Sequence, residues 1–331
     1  LYHVLSHALF KGLLFLGAGA IAHATHEYDL NNLGGLIRRM PQTAVFFLIG
    51  AMSISGIPLL NGFISEWLTF QTALQAPVLA SGVLRSIIPV AAAVLALSAA
   101  LAAACFVKVY GVAFLGQARN RHAARAREVD VGMRAAMGLL AVLCVLFGIF
   151  PSTVISIIDA IPNLLLGVGP PSATARGWLW LTPISPKVAS FSAPLVLLGI
   201  LVFAFISYLL LRKRTVDIRR GHAWDCGFGS LNSRMQYTGT AFSMPIQRIF
   251  APVWDLKEEI EETKNAAQPL HTQEIRHQLQ ALDRSWSRVY EPIGHLVLVA
   301  ARRIGMIQTG SIHTYLAYSF FTLILLLWVV T

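Results

Sequence analysis

The sequence predicts an all-α, polytopic membrane helix bundle with about six spans, one of them broken, and an amphipathic surface helix before the last span. Hydrophobic residues make up 56% of the 331-residue chain, and charged residues only 13%. An ordinary soluble domain has roughly 25% charged residues. The apolar residues also gather into runs of about 20, the length that a helix needs to cross a ~30 Å hydrocarbon core.

Six apolar runs are long enough to be spans: residues 1–24, 43–75, 84–115, 131–150, 190–212 and 311–331. The second run is interrupted by residues 56–62 (GIPLLNG). Because Pro58 cannot donate a helical hydrogen bond and clashes with the preceding turn, we expect two half-helices there. The stretch 151–168 is broken by Pro162 and carries Asp159, which favours an interfacial or re-entrant piece over a seventh span.

The distribution of basic residues predicts the orientation of the spans. If the spans alternate, their short connections place twelve basic residues on one side and three on the other, which makes the first side cytoplasmic. Basic cytoplasmic loops also explain the net charge of +10 without nucleic-acid binding. We therefore expect a multi-pass protein of the cell inner (cytoplasmic) membrane, in contact with the lipid bilayer.

A polar segment of about a hundred residues, 213–310, separates the last two spans and is expected on the cytoplasmic side. Within it, residues 255–264 are strongly charged and favour a helix. Residues 290–307 place apolar side chains on one face and Arg302 and Arg303 on the other. This pattern predicts an amphipathic helix lying along the membrane surface or a partner, with a solvated linker helix as the alternative.

Cysteine usage argues against chemistry carried by the chain itself. The three cysteines are Cys105, Cys144 and Cys226, and they form no CxxC or paired His/Cys spacing. Neither a disulfide framework nor a metal or iron–sulfur site is indicated, and no cofactor is expected. Any redox cofactor must therefore belong to a partner. Hydrolase, zinc-protease and nucleotide-loop motifs are also absent from the sequence.

Three ionisable side chains fall inside the spans, where a charge costs at least ~2.5 kcal/mol: Lys11, Glu66 and Lys108. His3 and His7 precede Lys11 at intervals of four, so the three share one helix face at steps of ~6 Å. Imidazole titrates near neutral pH, and a poorly hydrated lysine loses its proton at accessible pH. The row is therefore a candidate proton relay; the alternative is histidines bonded to backbone and a structurally paired lysine.

The other two charges are interpreted separately. Glu66 lies just beyond the predicted break, where unpaired backbone groups hold water, and it is a candidate terminal proton donor and acceptor. The alternative is a packing role, with Glu66 paired to a lysine of another helix. Lys108 lies about two turns from the end of its span and within reach of snorkelling to the interface, so a relay role and a structural role stay equally open.

Three sequence blocks resemble the antiporter-like proton-pumping subunits of respiratory complex I, multisubunit cation/proton antiporters and membrane-bound hydrogenases. The blocks are residues 1–18 (LYHVLSHALFKGLLFLGA), 33–41 (LGGLIRRMP) and 57–66 (IPLLNGFISE). Three more resemble the branch of hydrogenase-4 component B and formate hydrogenlyase subunit 3: residues 224–227 (WDCG), 234–237 (RMQY) and 309–316 (TGSIHTYL). The resemblance covers essentially the whole chain.

The resemblance implies two inverted repeats of five helices, each with a broken helix and a half-channel, followed by a C-terminal surface helix. It assigns His3, His7 and Lys11 to the central relay and Glu66 to the terminal position. The parts of the chain would be the second repeat at 1–150, an interfacial segment and further span at 151–212, the cytoplasmic segment at 213–310 and an anchor at 311–331. The first repeat is not represented, and Leu1 is not an initiator Met, so we expect an incomplete chain or a separate preceding polypeptide.

The resulting expectation is proton translocation by a non-catalytic subunit of a hydrogenase- or complex-I-like oxidoreductase assembly. Its partners would be other membrane subunits and the peripheral subunits that carry redox catalysis. Two alternatives stay open: Na+/H+ exchange in a multisubunit cation antiporter, and a structural membrane clamp that does not itself pump.

Overall fold

The computed structural model describes residues 1–167, 177–182, 190–212, 221, 224–252, 254–265, 268–306 and 308–330. The chain forms two units, Leu1–Phe242 and Ser243–Thr331. The helices that begin in the first unit are α1 (Tyr2–Thr25), α2 (Pro41–Ile54), α3 (Asn61–Ala73), α4 (Gly82–Phe114), α5 (Arg121–Arg125), α6 (Val131–Ile149), α7 (Pro151–Ile158), α8 (Ala160–Leu166), α9 (Ala193–Arg212) and α10 (Gly239–Ile249). The second unit contains β1 (Trp254–Asn265), β2 (Gln268–Asp283), α11 (Glu291–Gly305) and α12 (Ile312–Val330).

The predicted fold class, a mostly helical membrane bundle, is confirmed. Five of the described helices are long and apolar enough to cross a membrane, namely α1, α4, α6, α9 and α12. The remaining predicted span corresponds to α2 and α3 together, which are two shorter helices. Within the first unit, α1 packs against α2, α3 and α6, and α2 also packs against α4 and α6.

The helix break falls where the proline predicts it. The ring of Pro58 would clash with the carbonyl four residues earlier, and α2 ends at that residue, Ile54. The connecting turn contains two left-handed residues, Gly56 (φ 64°) and Leu59 (φ 74°). On the α6 side Gly148 packs directly against this turn, because a Cβ there would overlap the backbone of Leu59. The absence of a side chain on α6 therefore lets the unwound segment sit against the bundle.

Loops gather at the opposite end of the first unit. The Gly35 N–H donates to the Leu115 carbonyl at 2.9 Å. Gln236 accepts from the Gln117 N–H at 2.9 Å and donates to the Gln117 carbonyl at 2.8 Å, so the RMQY block is fastened beside the end of α4. The loops that follow α1, α4 and α9 therefore meet at one end of the first unit, as expected if the spans alternate in direction. That this end faces the cytoplasm stays a prediction.

Glu128 caps the N-terminus of α2, and its removal should destabilise the bundle. Its carboxylate accepts from the Gln42 N–H at 2.9 Å, from the Thr43 N–H at 3.4 Å and from the Thr43 hydroxyl at 2.5 Å. We expect Glu128→Ala to lower the free energy of unfolding by about 1 kcal/mol, because amides at the helix start lose their acceptor. Thermal unfolding in detergent measures this, and Arg127→Ala, at an exposed neighbour, is the control. Equal melting temperatures for the two variants would contradict the cap.

The stretch predicted to be interfacial forms two short helices. Pro151 begins α7, where its missing N–H is tolerated, and α8 follows directly after Asp159. Neither helix has the roughly 20 residues that a span requires. Their position relative to the bilayer stays a prediction, and residue 168 lies outside the described part of the chain.

The helix expected over residues 255–264 is wrong: these residues belong to β1, which pairs with β2 as an antiparallel hairpin. The register places Glu261 opposite Arg276 and Thr263 opposite Glu274. Helix propensity is a weak local preference, and here backbone pairing with a later segment overrides it.

The amphipathic helix predicted over residues 290–307 is present as α11, preceded by a π-turn at Trp286–Tyr290. Its apolar face is exposed in the described structure; that face comprises Ile293, Leu296, Val297 and Ile304. Residue 307 lies outside the described residues, as does residue 331 at the end of the predicted anchor.

Candidate functional site

The row of titratable side chains lies along the first half of α1. The ring centroids of His3 and His7 are 6.0 Å apart, and their planes are tilted by 40°. His7 also meets the ring of Phe10 edge-on at 5.4 Å. Lys11 follows one turn later and is half-buried. His3, His7 and Lys11 therefore lie on successive turns of α1, as their spacing predicts.

His3 joins this row to the broken helix. Its Nδ1 lies 3.0 Å from the Ser65 hydroxyl of α3, and that hydroxyl donates its single proton to the Gly62 carbonyl at 2.8 Å. Ser65 therefore accepts the bond from His3, which requires a proton on Nδ1. In the neutral ring the other nitrogen, Nε2, is then the acceptor and is the atom at which His3 takes up a proton.

Glu66 follows Ser65 directly, and its carboxylate lies over the turn of the break. A Cβ placed on Gly56 would lie 2.8 Å from Glu66 Oε2, so the missing side chain leaves room for the carboxylate. Glu66 is half-buried. Ser65 thus contacts the histidine row, and the next residue of α3, Glu66, places its carboxylate beside the unwound segment.

The row is not enclosed by the first unit. His3 and His7 are exposed, in contrast to Phe10 and Leu13 on the same helix, which are buried. Ionisable groups within membrane-spanning helices face protein or water-filled cavities, because lipid does not solvate them. The exposed row therefore marks a face of α1 that needs a polar neighbour in the membrane.

Lys108 is placed apart from this contact. It is half-buried on α4, less than two turns before that helix ends at Phe114. Among the helices, α4 packs mainly against α2 and α3, whereas the row lies on α1. The bond between His3 and Ser65 does not involve it, and its position is compatible with either role left open by the sequence.

Buried polar residues between α1, α2 and α3 were not identified from the sequence. Ser6, Ser53 and Asn61 are all completely buried, and the Asn61 side-chain amide donates to the Ser6 carbonyl at 3.2 Å. The Tyr2 hydroxyl donates to the Phe147 carbonyl at 2.6 Å. The sequence shows these polar residues within apolar runs, but it does not show that residues of different helices come together.

A second carboxylate, Glu27, lies beyond the other end of α1. Its Oε1 accepts hydrogen bonds from the backbone N–H groups of Asp29 and Tyr28, each at 3.0 Å. The bond from Asp29 makes the largest contribution. Both bonds favour the charged carboxylate and so hold the pKa of Glu27 below its usual value. Glu27 therefore stays ionised at neutral pH and orders the loop after α1. Within the described ranges, no group of three or more His, Cys, Asp and Glu side chains could hold a metal ion.

Comparison with known proteins identifies related sequences. Residues 1–107 match the family described as NADH:quinone oxidoreductase/Mrp antiporter, transmembrane. The chain is 37% identical over 331 residues to hydrogenase-4 component B of Escherichia coli (strain K12), covering 99% of this chain and 48% of that protein. It is 32% identical over 261 residues to formate hydrogenlyase subunit 3 of the same strain, covering 78% of this chain and 40% of the relative. The chain thus spans about half the length of these relatives, or less.

A solved structure supports the fold. The whole chain superimposes on 47% of a chain of the membrane-bound sulfane sulfur reductase, an archaeal respiratory membrane complex, with a TM-score of 0.61 and 20% sequence identity. At this identity the likeness shows a shared fold, and the roles of individual residues require their own support.

Proposed function

Because residues 1–107 match the NADH:quinone oxidoreductase/Mrp antiporter transmembrane family, we propose that the chain translocates protons as a membrane subunit of a hydrogenase- or complex-I-like redox assembly. The similarity to a hydrogenase-4 component and a formate hydrogenlyase subunit supports this assignment. Peripheral subunits supply the redox reaction, and other membrane subunits adjoin the chain. The basic loops favour the cytoplasmic membrane in the orientation predicted above.

The observation that carries the proposal is the hydrogen bond between His3 and Ser65. It links the row of Lys11, His7 and His3 on α1 to the helix that carries Glu66. The histidine rings are 6.0 Å apart between centroids, so protons pass along the row through bridging water. In this scheme Lys11 is the charge that switches, the histidines carry the proton, and Glu66 exchanges it with the outer side.

The test uses the complete assembly in proteoliposomes, with proton movement followed by a pH-sensitive dye during redox turnover. We expect translocation that is abolished by a protonophore and lost when the titratable row is replaced. Translocation that persists without His3, His7 and Lys11 would support the structural clamp instead.

Na+/H+ exchange is the second candidate, favoured by the family description, which includes Mrp antiporters. The same vesicles distinguish it, because an imposed Na+ gradient would then drive proton movement without any redox substrate. Proton movement that requires redox turnover and ignores the Na+ gradient supports the first proposal.

The exposed apolar face of α11 is proposed to bind neighbouring membrane subunits while the helix lies along the cytoplasmic surface. Leu296 is 67% exposed on this face. We expect Leu296→Glu to loosen the assembly, since an unpaired carboxylate buried at an interface costs several kcal/mol. Co-purification of the partner subunits measures this, and Arg302→Ala, on the polar face, should leave assembly intact. Intact assembly in Leu296→Glu, together with unhindered labelling of a cysteine at position 296, would make α11 a linker.

A further inference from the structure

Three buried oxygen atoms beside the helix break have no hydrogen-bond partner among the described residues. They are Ser6 Oγ on α1, Ser53 Oγ in the last turn of α2 and Asn61 Oδ1 at the start of α3. All three residues are 0% exposed. Buried polar atoms are nearly always paired with protein or with an ordered water. Three unpaired oxygen atoms on three neighbouring helices therefore need an explanation.

Several contacts bring the residues that carry these oxygens together. The Asn61 side-chain amide donates to the Ser6 carbonyl at 3.2 Å, which holds the Asn61 side chain against α1. Gly62 packs so closely on the Ser53 carbonyl that a Cβ there would overlap it, which brings the start of α3 against the end of α2. The Cys144 thiol of α6 lies beside both Ser53 and Asn61. Four helices thus enclose the region.

The neighbouring groups do not satisfy these oxygens. The Tyr2 hydroxyl, one turn from Ser6, gives its proton to the Phe147 carbonyl at 2.6 Å, and its oxygen makes no hydrogen bond of adequate geometry with Ser6 Oγ. The Cys144 thiol is only a weak donor. The two serine hydroxyls therefore need acceptors, and the Asn61 carbonyl oxygen needs a donor.

We propose that Ser6, Ser53 and Asn61 form a binding site for one internal water molecule. The water accepts from the two serine hydroxyls and donates to Asn61 Oδ1, which satisfies all three orphan groups with the usual three hydrogen bonds of a buried water. A monovalent cation fits less well, since these three ligands are neutral and a buried charge requires compensation. The site goes beyond the proposed function, because none of its residues belongs to the histidine row or to the terminal carboxylate.

X-ray radiolytic footprinting of the intact assembly tests this proposal without measuring transport. Hydroxyl radicals formed from a bound water oxidise the side chains beside it even when these are buried. Cys144 borders the site, and Met137, two turns earlier on α6, is equally buried in the apolar core. We expect Cys144 to be oxidised several-fold faster than Met137 after intrinsic reactivities are taken into account. Equal protection of the two side chains would overturn the proposal.

Single substitutions of the serines test whether Cys144 oxidation depends on the proposed water. Ser53→Ala and Ser6→Ala each remove one ligand with little change in volume, so each should lower Cys144 oxidation several-fold and leave Met137 unchanged. Unaltered Cys144 oxidation in both variants would also overturn the proposal. A melting temperature that rises with NaCl but not with choline chloride at equal ionic strength, and that loses this response in Ser53→Ala, would identify a cation in place of water.

Discussion

Replacing Lys11 with alanine is expected to abolish proton translocation by the assembled complex in proteoliposomes. Lys11 follows His3 and His7 along one face of α1, and the proposed relay makes it the charge that switches. Lys11→Arg should be nearly as harmful, because a guanidinium keeps its proton at every accessible pH. Initial rates of dye response at matched protein levels provide the measurement.

Phe15→Ala is the matched control for this experiment. Phe15 occupies the next position of the same row, four residues after Lys11, and is 74% exposed but cannot titrate. We expect translocation in this variant to stay close to that of the wild type. Normal pumping by Lys11→Arg would remove the titrating-lysine mechanism, because a fixed charge cannot relay a proton.

Replacing Glu66 with glutamine is expected to give the second large effect, a severe loss of translocation with the fold intact. The amide keeps the shape of the side chain over Gly56 but cannot exchange a proton. Glu66→Asp should retain partial function, because the carboxylate is preserved but withdrawn from the turn. Redox activity of the assembly, measured in detergent, shows whether the complex has formed in each variant.

Thr69→Ala is the control on the same helix, one turn beyond Glu66, where the hydroxyl makes only a local bond to the Ser65 carbonyl at 2.9 Å. It should pump normally. Because His3 and Glu66 are proposed to act in series, His3→Ala combined with Glu66→Gln should be no worse than the stronger single variant. Equal pumping by the wild type and Glu66→Gln would return Glu66 to a packing role.

The whole assembly is required for these measurements because the histidine row is exposed on the first unit. His3 and His7 are exposed on α1, and the contact of His3 with Ser65 of α3 leaves most of this face open. In a membrane this face must meet protein or water, since exposure of titratable groups to lipid is costly. Variants measured in the isolated chain would report on a face without its neighbours.

The sequence alone determined the spans and the helix break. Runs of apolar residues long enough for a bilayer predicted the bounds of the helices to within a few residues, because length and hydropathy are local properties. Pro58 located the break for an equally local reason, the clash of its ring with the carbonyl at Ile54. The spacing of His3, His7 and Lys11 likewise fixed their common face through helical geometry alone.

Only the tertiary structure decided which of these elements meet. The bond between His3 and Ser65, the Glu66 carboxylate over Gly56 and the convergence of Ser6, Ser53 and Asn61 join residues of different helices, and no local pattern encodes their approach. The hairpin at β1 and β2 replaced an expected helix for the same reason, since its partner strand follows later in the chain. Side-chain periodicity specifies the face that a helix presents, whereas packing between helices selects the neighbour to which that face is presented.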